Sequence, residues 1–430
     1  MNIKSGIRQS FTLQWRAMWR TGTLPFCVAA AVLAVVAAPH IARGDGTAAG
    51  ARQVLSQLAL GGAFAIVAVV SLVAACGAFA DERAAKRLAL TVTRPVPLCG
   101  VWLGKFAAIL SAAAVSLAAA AVALFCVADT GGDCVRLMSP LMPTIAEESL
   151  AEYERFMAAP ETPAEVKKQP KAAVVRELMK RMGERYDAVR PGETMTWNFM
   201  LPDGVKTAGA RMRFSTEYGI RTTVSGKFAL YSEGAEHDAF GAAITNLTGS
   251  VLDVPLAPTG QGALVDGKVA RLRFTSAGEG DVMLRPRKDL FITVPGDSAA
   301  ANAVRMVLME LVVVAVLVAM GMFFSSALSK TVSAFSASVL ITVSLMAPAV
   351  LVQFPSELGA NGVTKFGLGV SKAVLKATRP VGELHPIASF AAGESVEWLD
   401  IGRAAAQNAL ALPFALMLAS AAVLSRRPPE

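Results

Sequence analysis

The chain has 430 residues, of which 54% are hydrophobic and 17% charged, with a formal net charge of +8 and a mean hydropathy of +0.49. A soluble domain carries about one quarter charged residues; here the apolar excess is modest as an average but is gathered into blocks, with one stretch of ordinary soluble character between them. The positive balance comes without an aromatic-interleaved basic motif, so it argues for Lys and Arg gathered in cytoplasmic loops and against nucleic acid.

Residues 1–23 form a basic leader. Ile3, Ile7, Phe11, Leu13, Trp15 and Trp19 alternate with Lys4, Arg8, Arg16 and Arg20, which predicts an interfacial amphipathic helix. The alternative is a disordered basic start, which two tryptophans disfavour. The first apolar run begins late, has no small-residue cleavage site behind it and is followed by further apolar runs, so it does not read as a cleavable signal peptide.

A helix needs roughly 20 apolar residues to cross the hydrocarbon core. Six stretches qualify or nearly so: 24–42, 55–80, 101–128, 304–328, 332–354 and 404–424. The last is interrupted by Gln407, Asn408 and Pro413. Arg305 opens the fourth and can snorkel to the interface. Glu310, about one and a half turns further, faces other helices or water, or else the helix starts later and Glu310 is interfacial. Positive charge concentrates in the leader, in Arg83, Lys86, Arg87, Arg94 and Lys105 after the second span, and in Arg426 and Arg427 of the tail. By the positive-inside rule both termini are cytoplasmic, and residues 129–302 and 355–403 fall outside.

The segment 129–302 reads as an extracytoplasmic α+β domain. From 145 to 190 it is helical, with Glu147 and Glu148 early and Pro163 opening a second helix. From 191 to 297 the period changes to two, over 195–201, 211–216, 222–231, 242–252, 268–274 and 281–294, which predicts a β-sandwich. Gly262 to Lys268 has P-loop spacing, but Val269 stands where Ser or Thr must bind magnesium, and Asp266-Gly267 reads as a hairpin turn. Asn246-Leu247-Thr248 matches a glycosylation sequon, a triplet that arises often by chance. Cys27, Cys76, Cys99, Cys126 and Cys134 form no CxxC, and His40, His237 and His385 no HExxH, so no metal or zinc-enzyme pattern is present. Most of the cysteines read as small hydrophobes, with Cys126 and Cys134 open to pairing across the outer surface. No paired acids, Ser/His dyad or metal ligands fall within the spans, so no catalytic residue is assigned.

The segment 79–106, on the cytoplasmic side between two spans, is the most informative. Asp81 and Glu82 suit a helix N-terminus. Leu88, Leu90 and Val92 follow on an amphipathic stretch that Pro95 ends, and Gly104-Lys105 marks the return to the membrane. A short helix of this kind suits a lever that docks a partner; a solvated interfacial loop fits the same residues equally well.

The acidic exit from the second span, the Leu-rich short helix, Pro95-Val96 and Gly104-Lys105 together resemble the ABC-2 type transporter permeases, including those labelled multicopper-enzyme or nitrous-oxide-reductase maturation permeases. Glu82, Arg83, Leu88, Leu90, Arg94, Pro95, Val96, Gly104 and Lys105 carry the likeness. The layout agrees, and Leu384 to Phe390 with Gly393 and Val396 is similar to the family's outer segment before its final helix. Lys86-Arg87 stand where family members often carry Gly-Thr, and Leu98 where they often carry a basic residue. The insertion between the third and fourth spans is not general to the family.

The resemblance implies an ABC-2 type permease fold of six transmembrane helices: spans one to three over 24–128 with a coupling helix at 81–100, and spans four to six over 303–430. It implies the membrane-spanning subunit of an ATP-driven exporter in a bacterial cytoplasmic membrane, working as a dimer of permeases among membrane lipids. The engine would be a separate ABC ATPase that carries ATP and magnesium, since this chain has no Walker A motif and no cofactor of its own. Asp81, Glu82, Arg83, Lys86, Arg87, Leu88, Leu90, Arg94, Pro95, Val96 and Lys105 are the implied coupling residues, and Glu310 the intramembrane candidate. The alternative is a membrane-anchored envelope scaffold or sensor whose β-domain binds an extracytoplasmic partner without transport.

Overall fold

The computed structural model describes residues 3–43, 48–86, 97–128, 133–143, 145–159, 171–183, 186–202, 205, 208–214, 223–232, 240–247, 251–258, 269–278, 280–353 and 386–426. The chain divides into a helical unit, Met1–Cys134 with Asp297–Glu430, and a β-rich unit, Val135–Gly296.

In the helical unit, α1 (Ile3–Arg20), α2 (Thr23–Ile41), α3 (Ala48–Ala84) and α4 (Leu98–Val127) precede the β-rich unit. After it come α8 (Ala299–Ala327), α9 (Lys330–Gln353), α10 (Ile387–Ala391), α11 (Trp398–Ala404), a π-helical turn (Ala405–Ala411) and α12 (Leu412–Ser425). Among the described residues, five helices are long and apolar enough to cross a membrane: α2, α3, α4, α8 and the continuous run Trp398–Ser425. The chain is therefore a polytopic membrane protein in type. In α9 the part Lys330–Val343 is a shorter apolar helix.

The most enclosed of the five is α8, packed by α3, α4, α9 and α12. Close approach is possible because small residues line the contact: a Cβ on Gly321 would lie 2.9 Å from the Ala75 Cβ. Its helix begins at Ala299, earlier than the sequence suggested, with the Ser298 hydroxyl accepting from the Ala301 N–H. The last span runs through Gln407, Asn408 and Pro413 without a break. Proline lacks an N–H and clashes with the carbonyl four residues back; here the wider π turn ends just before Leu412 and Pro413, the accommodation such bulges provide.

The leader is a docked element. Gly104 of α4 sits against α1 so closely that a Cβ there would come 2.5 Å from the Ile7 carbonyl and 2.9 Å from the Phe11 N–H. Met18 is buried and Phe11 and Trp15 pack on the helical core. The chain then turns into α2 through Gly22, whose φ of +75° is left-handed backbone that glycine adopts without a Cβ penalty.

The β-rich unit holds β1 (Asp133–Met138), α5 (Ile145–Ala158), α6 (Lys171–Gly183), β2 (Asp187–Val189), β3 (Thr194–Met200), β4 (Ala208–Arg213), β5 (Thr223–Ser232), β6 (Phe240–Leu247) and β7 (Val251–Pro258). It closes with β8 (Val269–Ser276), β9 (Val282–Leu284), α7 (Pro286–Asp289) and β10 (Leu290–Ser298). Eight strands form one sheet in the order β1-β10-β4-β7-β6-β5-β8-β3, and β2 pairs β9 as a separate ribbon. The sheet curls until its ends meet: an antiparallel bridge joins Pro140 to Phe199, and the Leu141 N–H donates to the Asn198 carbonyl at 2.7 Å. Inward residues alternate strictly along β8, where Ala270, Leu272 and Phe274 are buried. Phe274, Phe228 and Phe214 meet at the centre, with ring centroids 4.7 and 5.4 Å from Phe274. One apolar cluster gathers inward residues from the whole sheet; where two stacked sheets were expected, the eight strands run in one continuous order whose ends are tied.

Candidate functional site

The segment that carries the resemblance begins where α3 ends. The expectation of a separate helix opening at Asp81 is corrected: α3 continues through Ala84, so Asp81, Glu82 and Arg83 form its last turn. A 37-residue helix rises about 55 Å, against a hydrocarbon core of about 30 Å. Its charged last turn can therefore stand clear of the core.

From that turn, three side chains reach three other helices. The Glu82 carboxylate pairs with the Lys105 ammonium of α4 at 2.7 Å. Lys105 is 5% exposed, so its charge depends on this partner; the ammonium also donates to the Ala78 carbonyl and lies 4.5 Å from the Phe79 ring centroid. The Arg83 guanidinium donates to the Ser326 carbonyl at 3.2 Å, the Ser325 carbonyl at 3.1 Å and the Leu328 carbonyl. Those carbonyls end α8, where no intrahelical donor remains and the helix dipole favours a cation. Asp81 pairs with Lys330 at the start of α9 at 3.0 Å, but both side chains are about half exposed, so this pair is weak.

The chain leaves α3 through Ala85 and Lys86. Lys86 has φ of +54°, the left-handed conformation that favours glycine, and its N–H donates to the Arg83 carbonyl at 2.9 Å. Arg87, Leu88, Leu90, Arg94, Pro95 and Val96 lie outside the described residues, and α4 begins at Leu98.

Glu310 lies elsewhere. It is 1% exposed within α8, about 22 Å along the axis from Ser325, so it belongs to the packed bundle and not to the charged turn. The reading of a later helix start, which would have left it interfacial, does not hold.

A second polar cluster fastens the other end of α8. Asn302, fully buried, accepts from the Val396 N–H at 2.8 Å and donates to the Glu394 carbonyl at 2.7 Å and to Cys134 Sγ at 3.4 Å. Arg305 pairs with Asp297, donates to the Val396 carbonyl and lies 5.1 Å from the Trp398 ring centroid. The sequence flagged Arg305 only as a snorkelling residue and gave no signal for Asn302, whose partners are mostly backbone. Cys126 and Cys134 form no disulfide with each other; the first is exposed and the second buried. In the β-rich unit, Val269 opens a strand, so the P-loop-like run before it is not followed by a helix.

No family model, curated protein or solved structure matches the chain.

Proposed function

We propose that the chain is the permease subunit of an ABC-2 type exporter, with six spans, both termini in the cytoplasm and a partner ATPase bound at residues 81–105. The observation that carries this reading is the convergence of Glu82, Arg83 and Lys105 on the helix end from which residues 87–96 depart. A push on 87–96 would reach α3 directly, α4 through Lys105 and α8 through Arg83. Coupled transport needs such a link, because ATP binding must bias several spans at once between two arrangements. The charged turn would thus be the inner anchor of the coupling segment, and the docking contacts would fall to Arg87, Leu88, Leu90 and Arg94.

A single cysteine placed at Leu90 tests this. In membranes holding the chain and its genomic neighbours, a short bifunctional cross-linker should join it to a P-loop ATPase. Failure to capture any ATPase from Leu90, with capture of one elsewhere on the chain, would reject the docking assignment.

A second reading is an envelope scaffold or sensor. It is favoured by the β-rich unit, which has a closed core of its own and more than a third of the chain's length. ATP turnover that rises with a transported molecule would exclude it.

A further inference from the structure

Between α1, α2 and α4 lies an apolar groove of about 740 Å³, within the range of sites that hold small molecules. Trp15 and Trp19 line it on α1, Val28, Val32 and Val36 on α2, and Val115 on α4. Pro25 to Val36 of α2 span about 17 Å, close to half of the roughly 30 Å hydrocarbon core. The groove therefore has the depth of one leaflet.

A cationic stripe runs along α1 beside the stripe that carries Trp15 and Trp19. Lys4, Arg8, Arg16 and Arg20 recur at multiples of four residues and make one stripe of α1, one position on from the stripe of Ile7, Phe11, Trp15 and Trp19. All four cations are exposed, and α1 contains no acidic residue. Trp15 and Trp19 are amphipathic rings of the kind found at headgroup level. The arrangement thus puts fixed positive charge beside the tryptophan-lined end of an apolar groove about as long as one leaflet is deep.

We propose that this groove is a binding site for an anionic glycerophospholipid, with one acyl chain along α2 from Trp19 to Val36 and the headgroup phosphate held by Arg16 and Arg20. Ordinary annular lipid would wet the same helices without regard to charge; this site selects for the anion. This site would bind lipid whether or not the chain transports anything.

The test uses the full-length protein in nanodiscs and reads tryptophan fluorescence. Brominated acyl chains are carried either on phosphatidylglycerol or on phosphatidylcholine, at one tenth of the lipid in a phosphatidylcholine background. The Trp15 and Trp19 signal is taken as the difference from the W15F/W19F variant. Brominated phosphatidylglycerol should quench that signal at least threefold more than brominated phosphatidylcholine. Arg16→Gln with Arg20→Gln should remove the preference, and R16K/R20K should keep most of it, which separates lost charge from a misfolded leader. Equal quenching by the two lipids, or a preference that survives R16Q/R20Q, would overturn the proposal.

Discussion

Lys105 shows how a single residue can be both a sequence signal and a structural necessity. An ammonium enclosed to 5% exposure is tolerable only with a partner, and Glu82 is that partner. Glu82→Gln should lower stability by about 3 kcal/mol, the scale of breaking a buried pair from one side. Lys105→Met alone should cost a similar amount. The double variant should lose less than the sum, leaving a coupling energy of about 1–3 kcal/mol in a thermal-unfolding cycle in detergent; strict additivity would mean that the pair is not a unit. Charge reversal at Glu82 is thus a test of folding as much as of docking. Lys86→Gly should raise stability by about 1 kcal/mol, because it removes a side chain from left-handed backbone. An unchanged midpoint would show that Lys86 relaxes elsewhere.

Among the elements, the apolar blocks were legible because about 20 residues without charge leave few alternatives. The boundaries were harder. Asp81 and Glu82 look like a helix N-terminus by the dipole rule, yet they close α3, where Lys105 offsets the unfavourable Glu82 carboxylate and Asp81 stays half-exposed to water. Strands β6 and β7 read as one run, 242–252, since Pro255 and Pro258 suppress the signal of the second. Those prolines are tolerated because, among the described residues, each is paired on one side only: Pro255 with Gly209 of β4 and Pro258 with Phe240 of β6. The sequence missed β1 altogether, a short strand between a span and a helix. In the candidate site, Glu82, Arg83 and Lys105 were legible, but the targets of Arg83 are backbone carbonyls, which have no sequence signature. Gly104 belongs to this scale as well. Gly104→Val should push α1 off α4, and trypsin should then cut at Arg16 and Arg20 at least several-fold faster; unchanged protection would show that the leader is held elsewhere.

For the whole molecule, two units with separate cores imply separate stabilities. The excised unit Val135–Gly296 should fold alone, with a cooperative thermal transition and a near-ultraviolet dichroism signal. Phe274→Ala should cost it about 3–5 kcal/mol, because the ring lies fully buried between Phe214 and Phe228. The helical unit is where function is assigned, and there the account rests on one joint: a charged turn at the end of α3 that holds α4 and α8 and leads into the segment proposed to meet an ATPase. The most direct test is affinity purification of the tagged chain in mild detergent with its genomic neighbours present, followed by mass spectrometry. A stoichiometric P-loop ATPase, lost when Arg87 and Arg94 are both changed to Glu, is the predicted result. An envelope protein in its place, with no ATPase in either preparation, would contradict the permease reading and leave the scaffold.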